Sequence, residues 1–194
     1  MKLYIVTTNK HKVQEAKDVF SEFGIEVEQI NEEKYEPKEF DLKKTAEYNA
    51  DIFYKKYKKP IIVDDTGVFF KAYKEFPGNH PKLMFETLGY KGLLKLLEHE
   101  AREVQFRTVI GYCDANGVRT FEGVLDCTAD TEVHDMDKDV LPYERILLVD
   151  GTPISSMSRA DKNKISHRAK AFRKTAGWLR ANENDRKGKV RFSR

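Results

Sequence analysis

The feature that most constrains the fold of this 194-residue chain is a long hairpin pattern near its middle. The stretch "VQFRTVIGYCDANGVRTFEGVLDC" contains two runs rich in β-branched and aromatic residues, joined through Asn116 and Gly117. Asn-Gly between two such runs is the strongest short-range hairpin signal, because both residues tolerate the positive φ angles of the favoured turn. The sequence therefore predicts two long antiparallel strands here.

Strand-like and helix-like segments alternate along the rest of the chain. "KLYIVTT" has the β-branched character of a first strand, and "KHKVQEAKDVFSEFG" then spaces apolar residues at helical intervals until Gly24. Asp41 is a candidate N-cap of a second helix. "IIVDDTGVFF" is typical of a buried strand with acidic residues at its end. This alternation predicts an α/β protein with an elongated mixed β-sheet flanked by helices.

The composition suits one folded domain, with 40% hydrophobic and 11% aromatic residues. We expect a single α/β domain over residues 1–181 and a basic, flexible tail over residues 182–194. The net charge is +3, but the chain from Arg180 onward carries six Lys and Arg against two acids, so the remainder is about −1. Because a near-neutral body lacks the broad basic face of nucleic-acid-binding proteins, nucleic acid is not an expected partner.

The sequence also predicts a cytoplasmic protein without a membrane partner. No apolar run approaches the roughly 18 residues that a membrane span needs, and the first residues do not fit a signal peptide. The two cysteines, Cys113 and Cys127, lie in predicted strands and form no CxxC motif. We expect buried thiols in a reducing compartment, with a disulfide between the two as the alternative.

A first polar cluster, "TTNKHK", lies between the first strand and the first helix. Ligands of open α/β sheets bind outside the carboxyl ends of strands, and a helix N-terminus favours anions. Thr7, Thr8 and Asn9 can donate hydrogen bonds there, and Lys12 can reach a phosphate as a point charge. The alternative is a helix cap followed by a solvated basic turn, and these residues alone leave both interpretations open.

A second cluster contains the adjacent carboxylates of Asp64 and Asp65 in "VDDTG". Two neighbouring carboxylates repel each other, and a hard cation such as Mg²⁺ relieves that repulsion. Glu36 or Glu39 in the preceding loop can add another carboxylate. The alternative is an ordinary turn at the end of the strand.

A third cluster, "KNKISHRAKAF", concentrates the basic residues Lys162, His167 and Arg168 near the C-terminus. One interpretation is a single helix from Ser158 whose charges face water. The other is a new helix capped by Ser166, which places His167 and Arg168 in a first turn that favours phosphate. Together, the two cationic helix starts and the acidic strand suit a triphosphate with Mg²⁺.

The three stretches "TTNKHKVQEA", "VDDTGVFFKAYKEFPG" and "KNKISHRAKAF" resemble, in this order, three motifs of the inosine triphosphate pyrophosphatase family, also called the Ham1 or XTP/dITP diphosphatase family. The resemblance extends to about Leu179. It implies two lobes with a central cleft, and hydrolysis of noncanonical purine nucleoside triphosphates (ITP, XTP, dITP) to the monophosphate and pyrophosphate, which cleanses the nucleotide pool. It also implies Mg²⁺ as cofactor, with Mn²⁺ as a substitute, and a homodimer.

The resemblance assigns roles to individual residues. It gives Asp65 as metal ligand or general base for the attacking water, with Asp64 and Glu36 as further metal ligands. Lys12 would stabilise the developing charge. The substrate-binding residues that it implies are Thr7, Thr8, Asn9, Lys12, Lys162, Ser166, His167 and Arg168.

The segment "VLPYERILLV" departs from the base pocket of that family. Leu141 replaces a stacking Phe, Tyr143 keeps an aromatic ring, and Glu144 replaces an Asp; Thr8 also replaces a Gly of the first motif. Tyr143 and Glu144 are nevertheless the candidate base contacts. These departures predict retained phosphate and metal chemistry with altered base selection. The alternatives are a catalytically weakened nucleotide-binding member, or a pyrophosphohydrolase with a changed base preference.

Overall fold

The structure is a computed structural model that describes residues 1–35 and 41–191, with side chains through residue 183. The predicted carboxylates Glu36 and Glu39 lie outside the described residues. The strands are β1 (Lys2–Val6), β2 (Glu26–Ile30), β3 (Ile61–Phe70), β4 (Pro77–Gly78), β5 (Glu103–Asp114), β6 (Gly117–Ala129), β7 (Leu147–Val149) and β8 (Thr152–Pro153). The α-helices are α1 (Lys10–Ser21), α2 (Leu42–Tyr57), α3 (Pro81–Leu96), α4 (Arg159–Ile165) and α5 (His167–Arg191).

The sheet is mixed, as the sequence predicts. Its strand order within the described residues is β2-β1-β3-β5-β6-β7-β8, and β4 pairs with β3. β1 is parallel to both β2 and β3, whereas β6, β7 and β8 pair antiparallel. The predicted hairpin is confirmed: β5 and β6 are joined at Ala115 and Asn116, and Gly117 adopts a φ of 102° that favours glycine.

The chain divides into two compact units, each assembled from separate segments. The first contains Met1–Asp65, Val109–Gly123 and the chain from Arg168 onward; the second contains Thr66–Thr108 and Val124–His167. The first has its own core from β1, α1 and α5, including Leu3, Phe20, Ile110 and Phe172. The second has a core that includes Phe70, Leu93, Phe106, Tyr143 and Ile146.

The helix caps follow the sequence. Asp41 accepts a hydrogen bond from the Lys44 amide (2.8 Å), which confirms it as the N-cap of α2. Ser158 accepts from the Asp161 amide (3.1 Å) and begins α4. Ser166 has extended backbone angles (φ −60°, ψ 147°) and separates α4 from α5, so of the two interpretations the new helix at His167 is correct.

One prediction about β3 is wrong. Asp64 and Asp65 do not end the strand but lie in its middle, because β3 continues to Phe70 by pairing Val68 and Phe69 with β4. Gly67 permits this continuation: a Cβ on Gly67 would lie 2.6 Å from the Gly78 carbonyl oxygen. The interpretation of the two acids as a strand-ending turn is therefore excluded.

α5 is longer than the sequence suggests, since its backbone runs to Arg191 and includes much of the basic tail. The flexibility expected for residues 182–194 stays a prediction. Cys113 and Cys127 are both buried free thiols, which rules out the alternative of a disulfide between them. Within the part of the chain that the structure describes, no helix combines the length and apolarity needed to span a membrane.

Candidate active site

The start of α1 places the first polar cluster directly after β1. The side chain of Asn9 caps the helix by accepting hydrogen bonds from the amides of His11 (2.9 Å) and Lys12 (3.4 Å). Thr7 is buried and its hydroxyl oxygen accepts from the Asn9 amide (3.2 Å), whereas Thr8 is exposed. The helix cap is thus confirmed, and a role of these residues in phosphate binding stays a prediction.

The basic residues at this helix start lie at the unfavourable end of the helix dipole. The first turn of α1 contains Lys10, His11 and Lys12 and no acidic residue. Cations near a helix N-terminus face the positive end of the macrodipole, which an anion would offset. For Lys12, the carboxylate of Asp64 provides such an anion at 2.7 Å.

Asp64 lies at the centre of a group of charged side chains in the first unit. Its side chain is fully buried, and its Oδ2 lies 2.7 Å from Lys12 Nζ and 3.3 Å from Arg168 Nε. Burial opposes ionisation of Asp64, but the charges of Lys12 and Arg168 outweigh it, so the pKa of Asp64 lies well below its ordinary value. Asp64 is therefore ionised over the whole physiological range.

Of the two cations in contact with Asp64, Arg168 is buried and Lys12 is mostly buried, with 16% of its side chain exposed. Arg168 Nη1 also donates to Glu15 Oε2 (2.6 Å). Burial alone would lower the pKa of Arg168, but the charges of Glu15 and Asp64 raise it. Burial lowers the pKa of Lys12, with the attraction of Asp64 opposing it. Glu15 thus completes the Arg168 contacts; it lies in the stretch "TTNKHKVQEA" that resembles a family motif, but the sequence analysis gave it no role.

Asp65 has a different partner from its neighbour. Its Oδ1 accepts a hydrogen bond from Lys34 Nζ (3.0 Å), and the same ammonium group donates to the carbonyl oxygen of Asp64. Burial raises the pKa of Asp65, and the charge of Lys34 opposes that rise. Sequence reasoning missed Lys34, because a lysine in a polar loop carries no pattern that distinguishes a buried ion pair from a solvated charge.

The charged cluster of the first unit is defined by Lys12, Glu15, Lys34, Asp64, Asp65 and Arg168. Among the described residues it balances three cations against three carboxylates, and no group of three or more His, Cys, Asp or Glu side chains could hold a metal ion. The carboxylates of Asp64 and Asp65 are the hard oxygen donors present. Mg²⁺ is usually held by one or two carboxylates together with substrate phosphates, so these two donors fit that ion.

In the second unit, Glu144 and Lys162 form an ion pair. Glu144 lies in a single 3₁₀ turn, Pro142–Arg145, and its Oε2 is 3.0 Å from Lys162 Nζ. The two side chains are 17% and 22% exposed, so the pair remains accessible to a ligand. The structure thus pairs Glu144, a predicted contact of the base, with Lys162, a predicted contact of the nucleotide.

Tyr143 lies in the core of the second unit. It is 5% exposed, packs beside Phe70 and Phe85, and donates its hydroxyl to the Pro81 carbonyl oxygen (3.1 Å). Burial raises the pKa of this phenol. The aromatic ring at this position therefore has a packing function, and its predicted contact with a base stays a prediction.

His167, at the start of α5, is stacked on Phe106 of β5. The two ring centroids are 4.6 Å apart and the ring planes differ by 5°. His167 is 8% exposed, and the preceding Ser166 closes α4 by donating its amide to the Lys162 carbonyl oxygen (2.8 Å). The stack fixes the plane of the imidazole, and Phe106 had no signal in the sequence beyond its place in a predicted strand.

The predicted site residues thus fall into two groups that the structure describes separately. The first unit brings Lys12, Asp64 and Arg168 into direct contact, with Asp65 beside them through Lys34. The second unit brings Glu144 and Lys162 together. Residues of the two groups are adjacent in the chain at His167 and Arg168.

Comparison with known proteins is consistent across sequence and structure. The model of the Ham1 family matches residues 3–178. The chain is 35% identical over 185 residues to a dITP/XTP pyrophosphatase of Thermococcus kodakarensis, covering 94% of this chain and 99% of that one. It is 36% identical to a dITP/XTP pyrophosphatase of Hyperthermus butylicus, covering 92% and 94%.

Two solved structures share the fold. A HAM1 protein from Coxiella burnetii has a TM-score of 0.78 at 20% identity, covering 93% of this chain and 99% of that one. The Ham1 protein of Staphylococcus aureus has a TM-score of 0.70 at 19% identity, covering 94% and 100%. At these identities the similarity establishes the mixed α/β fold alone.

Proposed function

The chain belongs to the Ham1 family, and on that premise we propose that it hydrolyses noncanonical purine nucleoside triphosphates (dITP, XTP and ITP) to the monophosphate and pyrophosphate. The observation that carries the proposal is the buried contact of Asp64 with Lys12 and Arg168. Mostly buried cations on the first turns of two helices suit a polyanionic substrate. Such an enzyme removes damaged nucleotides from the pool.

The reaction requires attack of water at the α-phosphorus. The new bond joins the water oxygen to that phosphorus, and the bond to the bridging oxygen breaks, so pyrophosphate leaves with the electron pair. Asp65 accepts the proton of the attacking water. Lys12 and Arg168 bind phosphate oxygens and stabilise the charge that develops on them.

Mg²⁺, or Mn²⁺ in its place, is the proposed cofactor. Asp64 and Asp65 would hold it, with Glu36 as a further carboxylate outside the described residues. A bound divalent cation would neutralise phosphate charge and lower the pKa of water. The adjacent carboxylates of Asp64 and Asp65 support this role, because hard oxygen donors suit a hard divalent cation.

The second unit is proposed to select the base. Glu144 and Lys162 together offer an acceptor and a donor to a purine edge, and His167 offers a fixed imidazole. A second candidate is the same reaction with a changed base preference. It is favoured by the position of Tyr143, whose ring packs in the core while Leu141 stands where the resembling family has a stacking Phe.

Two further proposals concern the cellular compartment and the oligomeric state. Two buried free thiols support a reducing compartment such as the cytoplasm. A homodimer is supported by the family resemblance, and sedimentation at micromolar protein concentration tests it directly. A single monomer mass would contradict the dimer without affecting the proposed reaction.

Hydrolysis of dITP in ¹⁸O-labelled water tests the proposed function. We expect equal amounts of dIMP and pyrophosphate, with the label in dIMP, because water attacks the α-phosphorus. In the variant Asp65→Asn, turnover is expected to fall by about 10²-fold or more while dITP still binds. Label in pyrophosphate, release of single phosphate, or unchanged turnover in Asp65→Asn would contradict the mechanism.

A further inference from the structure

Lys34 is a buried cation to which neither the sequence motifs nor the proposed reaction gives a role. It lies after β2, its side chain is 9% exposed, and its ammonium group is 3.0 Å from Asp65 Oδ1. The same group donates to the Asp64 carbonyl oxygen. Two contacts with consecutive residues fix the ammonium on the carboxylate that the mechanism uses as a base.

The partners of the two aspartates differ in a way that matters for a metal ion. Asp64 is compensated by both Lys12 and Arg168, so it keeps a counter-charge when either one moves. Among the residues that the structure describes, the ion pair of Asp65 is made by Lys34 alone. A divalent cation on Asp65 would therefore face a positive charge at hydrogen-bond distance from Oδ1 of the carboxylate that it must bind.

We propose that Lys34 is an internal counter-ion of Asp65, which a divalent cation must displace before it can bind there. The inference rests on the metal role proposed above for Asp65. The ammonium ion and the metal then compete for one carboxylate, so the free protein binds the metal weakly. A triphosphate favours the exchange, because its anionic oxygens can accept the displaced ammonium. Metal binding is thereby coupled to substrate binding.

Direct binding of Mn²⁺ without nucleotide tests the competition. Free Mn²⁺ is counted by electron paramagnetic resonance in titrations of the wild type and of Lys34→Met, whose side chain has similar length. We expect Lys34→Met to bind Mn²⁺ about tenfold more tightly, within the usual range of coupling between two ligands. Lys56→Met is the matched control, since it removes one exposed lysine paired with Glu32 (2.7 Å) and should leave Mn²⁺ affinity unchanged.

Equal Mn²⁺ affinity in the wild type and Lys34→Met, or no Mn²⁺ binding to either, would overturn the inference. Because the readout is metal binding without substrate, equal affinities together with normal pyrophosphate release would reject the role of Lys34 and leave the proposed function intact. Absence of pyrophosphate release would instead reject the proposed function.

A measurement on the wild type covers the case in which Lys34→Met fails to fold. Limited acetylation followed by mass spectrometry reports how accessible and reactive each lysine is. Adding Mg²⁺ is expected to increase acetylation of Lys34 severalfold, because the displaced ammonium leaves its buried ion pair, whereas Lys56 should react at the same rate. Unchanged acetylation of Lys34 at saturating Mg²⁺ would contradict the displacement.

Discussion

The carboxylate of Asp64 contacts two cations that are themselves mostly buried, Lys12 at 2.7 Å and Arg168 at 3.3 Å. Removing one partner of a buried ion pair is strongly destabilising because the remaining charge keeps its desolvation penalty. We expect Asp64→Asn to lower the free energy of unfolding of the metal-free protein by about 3 kcal/mol or more in urea titrations. Asp51→Asn, which breaks an exposed pair with Lys55 on α2, is the control and should change it little.

The loss of stability in Asp64→Asn should depend on pH in a definite direction. The pKa of Asp64 is lower in the folded than in the unfolded protein. The stability that ionised Asp64 contributes is therefore fully present above its pKa in the unfolded protein, about 4. It is lost as pH falls toward its pKa in the folded protein. The difference in stability between the wild type and Asp64→Asn should shrink below about pH 4. A difference that grows on acidification would contradict an ionised, stabilising Asp64.

Phe106 is expected to position His167 and not merely to fill space. In Phe106→Leu the imidazole loses its stacking partner, an interaction of about 0.5–1.5 kcal/mol, so KM for dITP should rise about 2- to 10-fold. The discrimination between dITP and dATP should fall as well, whereas kcat should change little. The measurement is of KM and kcat separately, for dITP and for dATP.

Phe121→Leu is the control, because Phe121 is a partly buried phenylalanine that packs on another aromatic ring, Trp178, beside the first unit's core. It should lower stability without changing base discrimination. If both variants change KM equally, Phe106 has only a packing role.

At the scale of elements, Gly67 allows β3 to continue past the two aspartates. A Cβ there would lie 2.6 Å from the Gly78 carbonyl oxygen and 2.7 Å from the Phe69 ring. We expect Gly67→Ala to destabilise the protein by about 1–3 kcal/mol, because β3 and β4 must separate. Thermal unfolding followed by circular dichroism measures the change.

Gly177 in α5 provides the opposite case, since a Cβ there meets nothing within 4 Å. Gly177→Ala should stabilise by about 0.5–1 kcal/mol through the helix propensity of alanine. Stabilisation by Gly67→Ala, or destabilisation of equal size by both variants, would contradict the close approach at β4.

The elements show which parts of the fold a sequence can predict. The β5–β6 hairpin and the caps at Asp41 and Ser158 depend on residues a few positions apart, and all three are confirmed. The strand predicted from "IIVDDTGVFF" is confirmed, but Asp64 and Asp65 were wrongly placed at its end, because the partner that extends it past them, β4, is a two-residue strand after a turn. Pairing of so short a strand depends on tertiary structure and leaves no periodicity in the sequence.

At the scale of the whole molecule, the motifs singled out residues that the structure brings into contact, but they did not indicate how charge is balanced among them. Lys12, Asp64 and Arg168 come from distant parts of the chain and meet in the first unit. Glu15 and Lys34, which complete the neutrality of that cluster, were missed. Neutrality is a property of the folded cluster, and a loop lysine such as Lys34 is paired only once β2 and β3 have both paired with β1.

The proposed hydrolysis of noncanonical purine nucleotides is tested most directly by a substrate panel at saturating Mg²⁺. It compares kcat/KM for pyrophosphate release from dITP, XTP and ITP with that from dATP and dGTP. Because the chain belongs to the Ham1 family and contains the charged cluster, we expect pyrophosphate and a clear preference for the three noncanonical purines. A preference for another base would confirm the chemistry and relocate specificity to the region of Leu141 and Glu144. No pyrophosphate from any of these nucleotides would contradict the proposed function.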